Sequence, residues 1–412
     1  VRVFRFPRPR PWTAALAALL AQGAIAGCCD CGDDDDDDSA VVGDDDDSAD
    51  PGPAPGFAEV ADFTIATGGA GPCAIVVTAL DDDGIPDLAV SHLHSSTVSV
   101  FFGRGDGSFL GAWHEFDHLG PVLAGQDLGV VATGRFDDDS ASDLAVASTG
   151  TDEVIVLLSP GQSIATTGFD LTAYPVGRGP FGVAAADLDG DGTDDLAVTG
   201  GEDNDVTILL RVPAGTFEER GRFDAGGEEP GFVVVADLDA DGTPDLVTTN
   251  HSSSSVGVLR GLGDGSFEEA VAYPVGDGPS SPEIVDLDGD GDLDLLTANE
   301  DTDDISLLLG DGGGGFTVGE SLAFGSRPYF VDSFDVDGDG DLDLVIPLEG
   351  EDLLVVALND GAGGFDDVLH AATGREPVTV VHADFDGDGD DDVAVTNFRD
   401  DTLSVFLNRF EP

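Results

Sequence analysis

Short apolar runs follow one another along most of this chain, each about the length of one strand. Phe232-Val-Val-Val-Ala236 is one such run, and the acidic loop Asp237–Asp245 turns it back into the β-branched run Leu246-Val-Thr-Thr-Asn250. A polar turn over 251–255 leads to Val256-Gly-Val-Leu-Arg260, a glycine turn over 261–265 follows, and Phe267–Tyr273 closes the unit. Val275-Gly-Asp-Gly-Pro279 then carries the chain onward. Runs of this length, bounded by Gly, Asp and Pro and lacking a helical period, predict four short antiparallel strands per unit.

The unit recurs. Its loops close on Asp87, Asp143, Asp195, Asp245, Asp294, Asp343 and Asp392, at successive gaps of 56, 52, 50, 49, 49 and 49 residues. A fixed period of that size marks a repeat architecture, and four strands per period make a propeller blade. Seven units predict an all-β, seven-bladed β-propeller over residues 57–412. The seventh unit stops after its third strand, Leu403–Leu407, while Asp62–Thr67 precedes the first loop. The N-terminal strand is therefore expected to complete the last blade, which removes two sheet edges.

The acidic loops carry the candidate chemistry. In Asp286-Leu-Asp288-Gly-Asp290-Gly-Asp292-Leu-Asp294, carboxylates stand at positions 1, 3, 5 and 9, glycine at position 6 allows a sharp turn, and position 7 offers its backbone carbonyl. An all-oxygen cage suits a hard cation, Ca2+ best. An EF-hand loop closes on Glu at position 12 and enters a helix; here the acid comes three residues earlier and a short apolar strand follows. The same set recurs as Asp187, Asp189, Asp191, Thr193 and Asp195; as Asp237, Asp239, Asp241, Thr243 and Asp245; as Asp335, Asp337, Asp339, Asp341 and Asp343; and as Asp384, Asp386, Asp388, Asp390 and Asp392. About five Ca2+ sites are expected, with the ninth residue able to bind through both oxygens. Two loops are incomplete. Ala79 replaces the opening acid of the first, leaving a weaker set of Asp81, Asp83 and Asp87. In the second, Arg135 and Ser140 replace the acid and the glycine, leaving Asp137, Asp139 and Asp143. That loop is expected to be metal-free, with Arg135 supplying the cation's charge.

Charge narrows the partners. Acidic residues number 84 and basic ones 15, all arginine. Residues 57–412 hold 72 acids and 11 arginines, a formal charge of −61, which argues against nucleic acid and anionic lipid as partners. Self-repulsion of that size makes bound cations part of the fold's energetics.

The first 27 residues resemble an export signal, with Arg2, Arg5, Arg8 and Arg10 ahead of a 15-residue apolar stretch, Trp12–Ala26. A membrane-spanning helix needs roughly 20 residues. Ile25-Ala26-Gly27-Cys28 resembles a bacterial lipobox, which implies lipidation of Cys28 and a protein held outside the cytoplasm on a membrane. Ala24-Ile-Ala26 also suits ordinary secretion. Residues 28–56 form an Asp- and Pro-rich spacer, with acidic runs at Asp33–Asp38 and Asp44–Asp47. Cys73 opens an apolar run and is expected in the core.

The repeat resembles the FG-GAP or VCBS repeat of the integrin α-subunit propeller and of bacterial surface proteins. Phe102-Gly103-Arg-Gly-Asp-Gly-Ser-Phe109 and Gly263-Asp-Gly-Ser-Phe267 carry its glycine-rich part beside the metal loop. The resemblance implies a seven-bladed propeller with calcium, usually structural, in the hairpin loops. Other features weigh less. Arg104-Gly-Asp106 spells an adhesion tripeptide but falls inside the repeat's own glycine turn. His92 and His94 alternate as a chelating pair would, without a third ligand. Trp113, His114 and His118 lie in the longest interval between loops, an irregular insertion or binding lip. No nucleophile elbow, zinc helix or phosphate loop occurs. The expected function is a calcium-stabilised binding, adhesion or scaffold propeller, not an enzyme, with an unidentified protein or polysaccharide ligand. The alternative is a carbohydrate-active or sugar-binding propeller, for which the three tyrosines, Tyr174, Tyr273 and Tyr329, read as standing before Gly-Pro connections where packing explains them, offer little aromatic platform.

Overall fold

The computed structural model describes residues 61–81, 83–114, 127–161, 168–212, 215–361 and 363–410. The signal, Cys28, the acidic spacer and the insertion beyond His114 lie outside the described residues. Seven four-stranded antiparallel sheets form the blades: 72–114, 128–175, 180–224, 230–274, 279–318, 332–372, and 377–406 with 63–66. One three-residue 3-10 turn, His251–Ser253, is the helical element among the described residues. None of them forms a helix long and apolar enough to cross a membrane.

The second strand of each blade is buried along its whole length, as in Asp195–Gly200 and Asp392–Asn397. Both sheet faces pack on neighbouring blades, so these strands read Leu-Ala-Val without alternation. Leu196 and Val198 join Val154 and Val156 of the preceding blade, while Ala197 joins Leu246 and Leu259 of the next. Register is constant. The closing aspartate always pairs with the last residue of the inner strand, as Ala186 with Asp195 and Val285 with Asp294.

Ring closure follows the expectation from sequence. Phe63–Ala66 pairs antiparallel with the last strand, Phe63 opposite Val405 and Ala66 opposite Thr402. The Thr67 hydroxyl and N–H both donate to the Asp401 carbonyl, each at 2.9 Å.

Two local readings change, and one blade is irregular. In the fourth blade the outer strand spans Val271–Pro274, not Phe267–Tyr273. Phe267 makes only an isolated bridge to Gly261, and the Glu268 N–H donates to the Arg260 carbonyl at 2.8 Å before pairing resumes at Val271. In the sixth blade the inner strand is only Asp332–Phe334. Tyr329 does not precede a Gly-Pro connection. It follows Pro328, is buried, and meets Phe232 edge-on at 6.1 Å.

Two blade interfaces place ionisable groups between their inner strands. Glu283 accepts the Ser333 hydroxyl at 2.9 Å between blades five and six, and His382 pairs with Asp332 at 2.9 Å between six and seven. Equivalent positions elsewhere hold pairs such as Val234 and Ile284, both packed in one cluster. Burial, and secondarily the Asp332 charge, pushes the Glu283 carboxyl up to about 8.

Candidate metal centres

Each acidic loop turns an inner strand back into the second strand of its blade, so all seven lie at one end of the ring. The loop conformation comes from the backbone. Gly190 and Gly192, at positions 4 and 6 of the third loop, have φ of 77° and 89°. A Cβ at either would meet nothing within 4 Å, so conformation rather than space requires glycine there. The fourth loop instead has Ala240 at position 4, with φ of 56°.

This turn folds the opening acid over the loop. The Asp187 carboxylate accepts the N–H groups of Gly190 at 2.8 Å, Asp191 at 3.1 Å and Gly192 at 2.8 Å. Asp191 in turn accepts the Thr193 N–H at 2.9 Å and hydroxyl at 2.6 Å. The carboxylates converge in all five complete loops. Oxygens of Asp187, Asp189 and Asp195 lie within 4.8 Å of one another, as do those of Asp384, Asp386 and Asp392. In the other three loops the converging groups are Asp237, Asp239 and Asp241; Asp286, Asp288 and Asp290; and Asp335, Asp337 and Asp339.

Two observations fit a cation at these points. Asp286 Oδ1 is buried and has no hydrogen-bond partner. Asp337 and Asp386 are held above the ordinary carboxylate range, first by burial and then by the charges of Asp339 and Asp388. A hard dication among oxygen donors relieves both conditions. The position-7 residues Thr193, Thr243, Asp292, Asp341 and Asp390 each bring a carbonyl to the same turn.

The ninth aspartate has a second task, which the sequence reading missed. One oxygen of Asp294 accepts the N–H of Leu287 at 3.1 Å, and the other accepts that of Gly310, sixteen residues on, at 2.8 Å. The same clasp joins Asp195 to Leu188 and Arg211, Asp343 to Val336 and Asn359, and Asp392 to Phe385 and Asn408. Asp245 holds Leu238 and Gly261. Both incomplete loops keep it too, in Asp87 with Leu80 and Gly103, and Asp143 with Phe136 and Ser159. Burial pushes these acids up, Asp87 and Asp343 to about 6 and Asp143, Asp195 and Asp392 to about 7.

A further contact cements neighbouring blades. The carbonyl at loop position 2 accepts a donor from the next blade. Ser159 Oγ reaches Leu80 at 2.9 Å, Asn359 Nδ2 reaches Leu287 at 3.4 Å, and Asn408 Nδ2 reaches Val336 at 2.8 Å. Where the sixteenth residue is glycine, a turn N–H replaces the side chain, as Gly265 to Leu188 at 3.0 Å and Gly107 to Phe385 at 2.9 Å.

In the second loop that donor is Arg211. Its side chain is 7% exposed, with Nε 3.0 Å from the Phe136 carbonyl and Nη2 2.7 Å from Asp138. This corrects the expectation for Arg135, whose side chain points outward while its N–H donates to Asp194 at 2.8 Å. Opening the second strand's hairpin, Arg135 sits on the rim, whereas Arg211 enters along the blade interface. Ser140 does not take the left-handed conformation of the glycine it replaces. In the first loop Gly84 keeps it, with φ of 82°, and Asp83 accepts the Ile85 N–H at 2.8 Å, but Ala79 offers no ligand.

The lesser candidates resolve into packing. His92 is buried with Nδ1 3.1 Å from the Thr97 carbonyl, while His94 is exposed and meets Phe398 edge-on at 5.2 Å, so the two do not form a chelating pair. Asp106 accepts the Ser108 N–H at 3.0 Å inside the glycine turn. Cys73 is buried, and burial pushes its thiol up to about 11. Tyr174 and Tyr273 pack edge-on against Phe217 and Phe316.

A family model described as an FG-GAP-like repeat matches residues 135–198, 191–248, 237–297 and 286–346. No curated protein sequence matches the chain. Among solved structures, the chain is similar to BBS1N in its complex with ARL6DN, at 12% identity and a TM-score of 0.59, covering 85% of this chain and 98% of that one. A catalytically inactive virginiamycin B lyase from Staphylococcus aureus, with quinupristin, aligns at 14% identity and 0.54, covering 84% and 97%. An Agrocybe aegerita lectin specific for non-reducing terminal N-acetylglucosamine aligns at 20% and 0.51, covering 80% and 86%. These likenesses concern the fold.

Proposed function

We propose, for a chain that belongs to the FG-GAP-like repeat family, a non-catalytic binding or scaffold propeller whose hairpins are stapled by calcium. The observation that carries this reading is the convergence of three carboxylates in each of five successive blades, within a ring of very high negative charge. On this reading Asp187 to Asp195, Asp237 to Asp245, Asp286 to Asp294, Asp335 to Asp343 and Asp384 to Asp392 hold Ca2+, while the first two loops do not. The cation neutralises each turn and fixes it, leaving the ring's surfaces to a protein or polysaccharide ligand. Lipid on Cys28 places the ring outside the cytoplasm, with residues 29–56 as its spacer.

Calcium titration of chelator-stripped protein by calorimetry tests the core of this proposal. About five sites are expected, with a melting temperature that rises as they fill. Binding of no calcium, or a melt indifferent to it, removes the reading.

A further inference from the structure

The other end of the ring is stitched by repeated backbone contacts. In every blade the first residue of the turn after the second strand donates its N–H to a carbonyl ahead of the inner strand, from Leu93 to Gly71 at 2.9 Å through Glu349 to Arg327 at 3.0 Å. At four of the seven turn positions stand Leu93, Thr149, Gly201 and Phe398. At the remaining three, in successive blades, stand His251, Glu300 and Glu349.

Arg327 faces these three. It has φ of 55°, where the equivalent Gly71, Gly179 and Gly278 adopt the same left-handed conformation without a side chain. Its N–H is fixed by Asp303 Oδ1 at 2.8 Å. Its Nη2 lies 3.0 Å from Glu349 Oε2 and 3.7 Å from Glu300 Oε2. The other oxygen of Glu300 lies 3.2 Å from His251 Nε2. The glutamates are each 8% exposed, His251 14% and Arg327 30%. Two nearly buried carboxylates therefore share one guanidinium, and a protonated His251 supplies the second positive charge.

We infer that His251, Glu300, Arg327 and Glu349 form one proton-linked clasp across the fourth, fifth and sixth blades, in which a proton on His251 or Glu349 relieves the crowding of two carboxylates on one guanidinium. The surrounding charges agree. Burial pushes the Glu349 carboxyl up to about 7, Arg327 opposing and Glu300 and Glu376 adding to it. Burial works against the His251 imidazolium, but the Glu300 hydrogen bond and the charges of Glu300, Asp301 and Glu229 raise it. Glu376 is itself paired with Arg399 at 2.8 Å, and the Tyr329 phenol is buried near Glu300 and Glu349 and stays neutral. Both titrating groups hold protons more tightly in the folded chain than in the unfolded one. Their stabilisation is thus complete below the unfolded values, 4.5 for Glu349 and 6.5 for His251. It is lost as pH rises through about 7 for Glu349 and above 6.5 for His251.

The test uses calcium-saturated protein, so that the loops at the opposite end contribute equally to wild type and variant. Thermal midpoints of wild type and Glu349→Gln are compared between about pH 5.5 and 8.5. The clasp predicts a variant that melts above wild type by a margin that widens by several degrees from the acid end to the alkaline end. A constant offset at every pH overturns it. Independently, the His251 imidazole resonance, assigned by its loss in His251→Asn, is expected to titrate above the ordinary histidine range and to return to it in Glu300→Gln. An ordinary titration that ignores Glu300→Gln overturns the proposal without reference to stability.

Discussion

The second and fifth hairpins share a register and differ in one half. In both, the closing aspartate, Asp143 or Asp294, holds one N–H seven residues back and another sixteen residues on. In the fifth, three carboxylates then converge and Asp286 Oδ1 is left buried without a donor. In the second, the Arg211 guanidinium of the next blade meets the Phe136 carbonyl, where in the fifth the Asn359 amide meets that of Leu287. The hairpin is therefore two separable devices. A backbone clasp is common to all seven blades, and converging carboxylates are added in five.

Calcium removal should separate the two most strongly. A ligand at a hundred times its dissociation constant adds about 2.7 kcal/mol per independent site. Stripping five sites should lower the calorimetric midpoint far more than any single substitution. In hydrogen exchange, amides of 286–294 should lose protection while those of 136–143 keep it. Equal loss in both hairpins would dissolve the distinction.

Breaking the clasp comes next. Asp143→Ala and Asp294→Ala each leave two backbone donors without an acceptor, at about 1–3 kcal/mol apiece. Urea unfolding without calcium should give similar losses for both. With calcium, Asp294→Ala should lose more, because its loop then also loses a ligand.

Arg211→Met keeps much of the buried stem and removes a charge-assisted hydrogen bond, for a loss of about 1.5–3 kcal/mol whether or not calcium is present. Arg135→Met, on the rim, should change stability by less than about 0.5 kcal/mol. The reverse order would restore the arginine assignment made from sequence. The remaining effect is a gain. Ala240→Gly relieves a left-handed alanine and should add up to about 1 kcal/mol in the same urea experiment.

These contrasts also mark what a single sequence discloses. Blade number, loop register and the closing strand were legible because each repeats a residue type at a fixed spacing. The clasp was only half legible. Asp294 is visible, but its partner sixteen residues on is a backbone N–H, and Gly103, Ser159, Arg211 and Asn359 serve equally there. Backbone donors leave no mark on composition. Arg211 was invisible for another reason, since 75 residues separate it from Phe136 and the blades must pack before they meet. Tyr329 was misplaced because the sixth blade's inner strand is shortened to three residues, which displaces the usual landmarks around it.

The union of Phe63–Ala66 with the final strand sets an order on synthesis. Thr67 and Asp401, which it brings together, are 334 residues apart. At the usual pace of translation, a strand made early waits roughly 20–70 s for its complement to emerge. Until then the nascent ring is an open arc with a bare strand at each end, vulnerable to pairing with another copy. Residues 402–406 decide whether that arc becomes a closed molecule, so a ribosome that stops short of them releases a chain with almost all of its blades and no ring.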